Sequence, residues 1–406
     1  MSIDLRVARP EDVAPFMTAL ARTFGEAMRD EDVADWRTRL EPDRIFVGWD
    51  GQLAVGGGAI YSMRFSVPGG DVAGGGVTAV GVLPTHRRQG MLRRMMGEMF
   101  AQGIERGEPV HFLWASEAAI YQRFGYGLAA FKARFDLPTP RSAFIEARPS
   151  SGRLRLIEQE EASRLLPPVY EAWRATRPGA WSRTEAWWRS LLDDPEWHRH
   201  GGGPRNLLVH ERDGRVRGYA QYHLHEEWDE RGPRDQLHVF EAIGLDPAAE
   251  RDTWRFLCDM DLVRTVRYDL APLDHPLLHL LREPNALGFT VGDALWARIL
   301  DVPTALEARG YGAAGTIAFE LRDEGLPANA GRWRLDTGSD RPRVARTDDP
   351  ADLALDTSDL AAIYLGGVTL AQLQRAGRVQ ELVAGATPRA DALFVSAVAP
   401  WSPRIF

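Results

Sequence analysis

The stretch Val80-Gly81-Val82-Leu83-Pro84-Thr85-His86-Arg87-Arg88-Gln89-Gly90-Met91 reads as a strand, a tight connection and the start of a helix. At such a junction the first amide N–H groups, here from about Arg88 to Leu92, have no partner inside the helix. Together with the helix dipole they form a cradle for an anion such as a diphosphate. Gly90 lets the backbone approach closely, and Arg87 or Arg88 can add a charge-assisted bond. The segment lacks the Gly-Lys-Ser/Thr ending of a P-loop, and its glycine spacing is not that of a dinucleotide-binding turn. A solvated basic helix start would contain the same residues. The residues by themselves allow both a phosphate-bearing ligand and a solvated helix start.

The elements needed to hold this cradle can be read on either side of it. Gly76–Val82 has strand character, and the helix from Met91 to about Gln102 sets Leu92, Met95, Met96, Met99 and Phe100 on one apolar stripe. Val110–Trp114 reads as a buried strand. Ser116-Glu117 opens a short helix that carries Tyr121 and Phe124 and ends at Gly125, and a last strand runs from about Ala129 to Leu137. Upstream, helices are expected from Asp12 and over Asp30–Arg39. Asp50-Gly51 joins Ile45–Trp49 to Leu53–Val55 as a hairpin. The triple glycines at 56–58 and 74–76 suit bends or close backbone approach rather than phosphate binding.

Pro138, Pro140 and Pro149 suggest a boundary, after which the order restarts. Helices are expected at Glu158–Leu166, Pro168–Thr176 and Arg183–Leu192. A hairpin turning at Asp213-Gly214, a strand at Phe240–Ile243 and a helix over Glu250–Val263 follow. This echo implies a duplicated fold. From about Leu295 a third, α+β module begins, and the chain ends on the apolar Trp401-Ser402-Pro403-Arg404-Ile405-Phe406, which suggests a docked terminus.

Composition narrows the function classes. The chain has 406 residues and a net charge of −8, so it offers no general attraction to nucleic acid. It has no apolar run long enough to span a bilayer and no cleavage pattern at its start, so neither nucleic acid nor membrane is an expected partner, and cytoplasm is the expected location. Cys258 is the single cysteine, which rules out an intrachain disulfide and a cysteine-cluster metal site; it is expected to be a buried structural thiol. Lys132 is the single lysine, which disfavours Schiff-base chemistry. His198, His200 and His210 lack partners spaced for zinc, and His223-Leu224-His225-Glu226-Glu227 reads as a solvated, charged rim; no metal is expected.

With Ser116-Glu117-Ala118-Ala119-Ile120-Tyr121-Gln122-Arg123-Phe124-Gly125-Tyr126-Gly127 added to Pro84-Thr85-His86-Arg87-Arg88-Gln89-Gly90-Met91-Leu92 and a terminal phenylalanine, the chain resembles the enhanced-intracellular-survival (Eis) N-acetyltransferases of the GNAT superfamily. The likeness covers essentially the whole chain. It implies an α/β and α+β architecture of tandem GNAT-like folds followed by a sterol-carrier-like domain, with a catalytic domain at 1–142, a second GNAT-like domain at 143–297 and the last domain at 298–406. It also implies acetyl-CoA as cosubstrate, a homohexamer, and amines as acceptors, with aminoglycosides the best-known class.

Carried over by motif, Val80 and Val82 would bond the pantetheine arm through their backbones. Arg87, Arg88, Gln89, Gly90, Met91 and Leu92 would hold the diphosphate, with Ser116 beside the cofactor. Tyr121 would be the general acid, and the carboxylate of Phe406 the base. Phe24, Glu26 and Trp36 would line the amine pocket, while Tyr126 is read as a packing residue. Leu92 stands where the motif has a small residue, and Ala79 where relatives often carry an aromatic. The competing readings are a protein-lysine acetyltransferase, a non-catalytic acyl-CoA sensor, and a hydrophobic-ligand carrier using residues 300–406.

Overall fold

Residues 3–26, 29–230 and 232–406 are described in the computed structural model of the chain. They form two units: one runs to Ala129 and includes Leu295–Ala397 and Phe406, the other comprises Ala130–Ala294 with Val398–Ile405.

The first unit opens with β1 (Asp4–Val7), α1 (Val13–Phe24) and α2 (Asp30–Arg39), then an antiparallel run of β2 (Ile45–Asp50), β3 (Leu53–Val67) and β4 (Gly70–Val82). The buried face of α1 carries Val13, Phe16, Met17 and Leu20. The helix stops at Gly25, whose positive φ turns its N–H back to the Ala21 carbonyl. α3 (Met91–Glu105) buries Met95, Met96, Met99 and Phe100. Gly58 makes room for it, since a Cβ there would lie 2.8 Å from Met99 Cε. β5 (Val110–Trp114) runs parallel to β4; α4 (Ala118–Tyr121) continues as a 3-10 turn to Gly125, and β6 (Gly127–Leu128) follows.

The second unit contains β7 (Phe131–Pro138), β8 (Arg153–Ile157), α5 (Gln159–Arg174), α6 (Glu185–Leu192), β9 (Asn206–Arg212) and β10 (Arg215–His225). The two-residue strands β11 (Trp228–Asp229) and β12 (Gly232–Pro233) precede β13 (Asp235–Gly244), α7 (Pro247–Cys258), β14 (Val263–Ala271), α8 (Leu277–Leu280) and β15 (Thr290–Asp293). Its sheet has the order β15-β7-β14-β13-β10-β9-β8.

The chain then returns to the first unit. β16 (Leu295–Ile299) inserts between β5 and β6, completing the order β1-β2-β3-β4-β5-β16-β6. The two sheets correspond strand for strand: four antiparallel strands, a parallel fifth, and an antiparallel sixth. In both, the sixth strand comes from outside the run of the others, β7 ahead of its sheet and β16 long after its own. The remainder comprises α9 (Val302–Glu307), β17 (Thr316–Arg322), β18 (Gly331–Asp336), β19 (Arg343–Arg346), β20 (Leu353–Asp356), α10 (Thr357–Ile363), α11 (Leu370–Arg375), β21 (Gln380–Glu381) and α12 (Ala386–Phe394). Its five strands take the order β19-β18-β17-β20-β21.

The sheets cross the divisions expected after residues 142 and 297, because β7 joins the second sheet and β16 the first, and Pro138 ends a strand. Other expectations are corrected. The helices expected at 158–166 and 168–176 are one helix, α5, that runs through Pro167 and Pro168. Burial of Leu166, Val169, Tyr170 and Trp173 on its inner face offsets the lost backbone bonds. The helix expected over 250–263 is α7, which starts earlier at Pro247 and ends at Cys258, and Val263 opens a strand. His223 does not lie on a solvated rim. It is fully buried with Nε2 2.9 Å from Asp194, and desolvation pushes its pKa down to about 4.

Candidate active site

Two irregularities of β4 open a cleft. Gly57 pairs with Gly81 and Ala59 with Thr78, so Ala79 and Val80 together face the single residue Gly58; this is a β-bulge, with Ala79 held at φ 53°. In addition, β4 pairs with β5 only from Gly74–Val110 to Val77–Leu113, and no ladder joins the two strands beyond that point. The β5-facing side of Thr78–Val82 is therefore free of the ladder and can accept an extended ligand as a strand-like neighbour.

The cleft at this place has a volume of about 760 Å3. Of the residues singled out in the sequence, Val80, Val82, Arg87, Arg88, Gly90, Met91, Leu92, Ser116, Tyr121 and Phe24 line it. Gln89 and Glu26 are exposed, and neither lines the cleft. Trp36 is half-buried on α2 with Arg39 over its ring at 5.8 Å, and it too lies off the lining. The sequence reading missed His86, Arg93 and Arg123, which also line the cleft. Arg123 follows Tyr121 by two residues, and Arg93 sits one residue into α3 from Leu92; that spacing was the available signal.

Gly90 is the N-cap of α3, with φ 79° and no side-chain capping bond, so the first N–H groups of the helix face the cleft without a capping carboxylate or hydroxyl. With Arg87, Arg88, Arg93 and Arg123 around them they suit a diphosphate. The second unit provides a contrast. Its β13 repeats the bulge, at Phe240, and its ladder with β14 stops at Val239–Tyr268. There, however, the following helix α7 is capped by Asp246, whose carboxylate accepts from Ala248 and Ala249 N–H at 3.2 and 3.0 Å, and Pro247 has no N–H to offer. Trp401 packs edge-on against Tyr268 at 6.5 Å and donates to the Leu270 carbonyl at 2.6 Å. The second unit thus satisfies at its own helix start what the first leaves open.

Tyr121 closes α4 and is only 5 % exposed. Burial, reinforced by Glu117, pushes its phenol up to about 12. Tyr126 is fully buried with its ring edge-on to Tyr121 at 5.8 Å, in keeping with a packing residue. The Phe406 ring lies edge-on to Phe65 at 5.8 Å, and a Cβ on Gly76 would come within 3.1 Å of it. A Phe406 carboxylate oxygen accepts from Thr78 Oγ1 at 3.2 Å. Cys258 lies in the core of the second unit, where desolvation pushes its thiol up to about 12. Among the described residues no cluster of histidine, cysteine and carboxylate groups is suited to a metal, and no helix is long and apolar enough to cross a membrane.

Comparison with known proteins agrees with the architecture. Residues 4–129 and residues 179–299 each match a family described as an acetyltransferase (GNAT) domain, and residues 302–403 match a sterol carrier protein domain. An uncharacterized N-acetyltransferase of Streptomyces avermitilis is 39 % identical with complete coverage of both chains. The N-acetyltransferase Eis of Mycobacterium tuberculosis is 33 % identical over 96 % of each chain. The crystal structure of Eis1 from Mycobacterium abscessus superposes with a TM-score of 0.86 at 31 % identity, covering 99 % of this chain and all of that one. With these likenesses over the full length, the chain belongs to the Eis family of GNAT N-acetyltransferases.

Proposed function

We propose that the protein moves the acetyl group of acetyl-CoA directly to a primary amine of a small molecule, with aminoglycosides and other polyamines as the first class to test. The observation that carries this reading is the bond from Thr78 to the Phe406 carboxylate, two residues along β4 from Val80, which lines the same cleft as Tyr121 and the start of α3. Tyr121 lines the cleft, while Phe406 and Thr78 lie off its lining and next to it along β4.

Acetyl-CoA supplies an acetyl group activated as a thioester. The amides from Arg87 through Gln89, Gly90 and Met91 to Leu92 hold the diphosphate, with the guanidinium groups of Arg87 and Arg88 alongside. Val80 and Val82 present their backbones to the pantetheine arm beyond the end of the β5 ladder, the Val82 carbonyl already accepting from Arg87 Nε at 3.2 Å, and Ser116 lines the same cleft. The Tyr121 hydroxyl delivers its proton to the departing sulfur, since a thiolate leaves poorly unless it is protonated. The Phe406 carboxylate attracts the cationic amine and takes up its proton. Phe24 contributes an apolar face for the acceptor; Glu26 and Trp36 remain assigned to acceptor binding by resemblance alone. A carrier role has little support, since the apolar cavity among Ile317, Phe319, Leu355 and Phe394 measures about 10 Å3, less than a lipid needs.

The test is continuous release of CoA with aminoglycosides, polyamines and lysine peptides, with product mass determined and a no-acceptor control. Acceptor-dependent release by small amines is expected. Release with lysine peptides alone would make the protein a protein acetyltransferase, and acetyl-CoA binding without release would make it a sensor. Residues appended after Phe406 should lower amine turnover and leave acetyl-CoA binding intact; full turnover in a folded extended variant would remove Phe406 from the mechanism.

A further inference from the structure

The turn that carries Tyr121 rests on residues from the far end of the chain. Gly125 ends the turn and Gly127 opens β6, and both lie against α10 and β16 without room for a side chain. A Cβ on Gly127 would fall 1.8 Å from the Ser358 carbonyl oxygen and 2.7 Å from the Ala362 nitrogen. A Cβ on Gly125 would fall 2.7 Å from Thr357 Cγ2 and 2.9 Å from Arg298 Cζ. Two glycines set two residues apart thus bring the backbone on either side of Tyr126 into contact with one surface.

That surface is fixed by a buried charge pair. Arg298 of β16 is wholly buried and donates from Nη1 and Nη2 to the two carboxylate oxygens of Asp323 at 2.8 and 2.7 Å. Nη1 also donates to Thr357 Oγ1 at 2.6 Å. Asp323 is held in turn by the Gly325 and Leu326 N–H groups at 3.1 and 2.9 Å. Leu326 packs into the apolar cluster that contains Tyr121 and Tyr126. Between this surface and Tyr121 stands Tyr126, whose hydroxyl has no hydrogen-bond partner among the described residues. Its place is therefore set by packing, and its ring meets that of Tyr121 edge to face.

We propose that Arg298, Asp323 and Thr357 are positioning residues for the reaction: Arg298 of β16, with Asp323 and Thr357 of the sterol-carrier-like part, holds the Tyr121 hydroxyl, through Gly125, Tyr126 and Gly127, in line with the sulfur it protonates. The proposal rests on the reading of Tyr121 as the acid. It gives the last domain a role in acetyl transfer that needs no lipid.

Three variants test it in the full-length protein. Thr357→Val removes the hydroxyl that accepts from Arg298 and keeps a methyl against Gly125. Thr357→Ser keeps the hydroxyl, and Gly127→Ala pushes the turn off α10. Because misplacement of a reacting group by about 1 Å can lower a rate by up to roughly 100-fold, Thr357→Val and Gly127→Ala should each reduce kcat by about tenfold or more, with KM for acetyl-CoA within about twofold of the parent. Thr357→Ser should retain most of the activity. In a Tyr121→Phe background the same changes should cause no further loss, because they act through the missing hydroxyl. Unchanged kcat in folded Thr357→Val, or equal fractional losses with and without the Tyr121 hydroxyl, would overturn the proposal while leaving Tyr121 as the acid. Full turnover in Tyr121→Phe alone would instead overturn the assignment of the acid, and this proposal with it.

Discussion

Tyr121 and Tyr126 stand five residues apart in one short motif, and their environments separate the roles. Both are buried, but Tyr121 reaches the cleft while Tyr126 is enclosed. A group that gives up a proton must hold it until transfer, and burial, by raising the phenol to about 12, keeps Tyr121 neutral at working pH. Changing Tyr121 to Phe should lower kcat about 10²–10³-fold, with acetyl-CoA affinity by calorimetry within about twofold of the parent. The sign of the pH dependence follows. As the proposed acid, Tyr121 is competent below its pKa, so kcat should show no falling alkaline limb up to about pH 10. A limb near pH 8 or 9 that disappears in Tyr121→Phe would contradict this. The motif around Tyr121 was legible in the sequence, whereas Trp36 was placed in the amine pocket by resemblance and its half-buried position on α2, off the cleft, came only from the packed helix.

At the scale of elements, α3 and α7 are the same helix in two copies of one fold, with opposite treatment of their first turns. Gly90 leaves the N–H groups of α3 open, while Asp246 closes those of α7. Gly90→Asp should therefore weaken acetyl-CoA binding by at least about tenfold, since it sets a carboxylate where a diphosphate should lie, and should lower thermal stability modestly because Gly90 sits at φ 79°. Asp246 itself is a structural cap. Desolvation would raise its pKa, but the Ala249 N–H and the guanidinium groups of Arg212 and Arg217 hold it at about 2. A carboxyl lowered by folding adds stability above its unfolded pKa and loses that contribution as pH falls through the folded value. Asp246→Ala should thus cost about 1–2 kcal/mol near neutral pH in denaturant melts, and the gap to the parent should close between about pH 4 and 2. The Asp246-Pro247 pair is a helix-start signal that was present in the sequence, yet the helix was expected only from Glu250; the apolar spacing further along outweighed the cap.

For the whole molecule, the chain order and the sheet order differ. Leu295, Trp296, Ala297 and Ile299 of β16 are buried, and β16 pairs with β5 on one side and β6 on the other. A fragment ending at residue 142 would lack that strand and leave the β5 edge bare, which invites association between chains. Such a fragment should show no cooperative unfolding transition, and adding back a peptide covering residues 294–301 should restore part of it. A soluble fragment with a sharp melt would show that β16 is dispensable.

The sequence by itself determined the local features: the strand-turn-helix at Val80–Met91, the apolar stripe of α3, the hairpins at Asp50-Gly51 and Asp213-Gly214, the repeated order of elements and the buried single cysteine. Each depends on residues close together in the chain, where spacing and turn chemistry are sufficient. Only the tertiary structure decided which sheet claims β7 and β16, that α5 runs through two prolines, that Phe406 meets Thr78 on β4, and that Arg298 and Thr357 lie under the Tyr121 turn. Those outcomes depend on pairings between residues tens to hundreds of positions apart. A strand's own sequence favours burial and alternation, but it carries no record of the partner whose backbone will satisfy it.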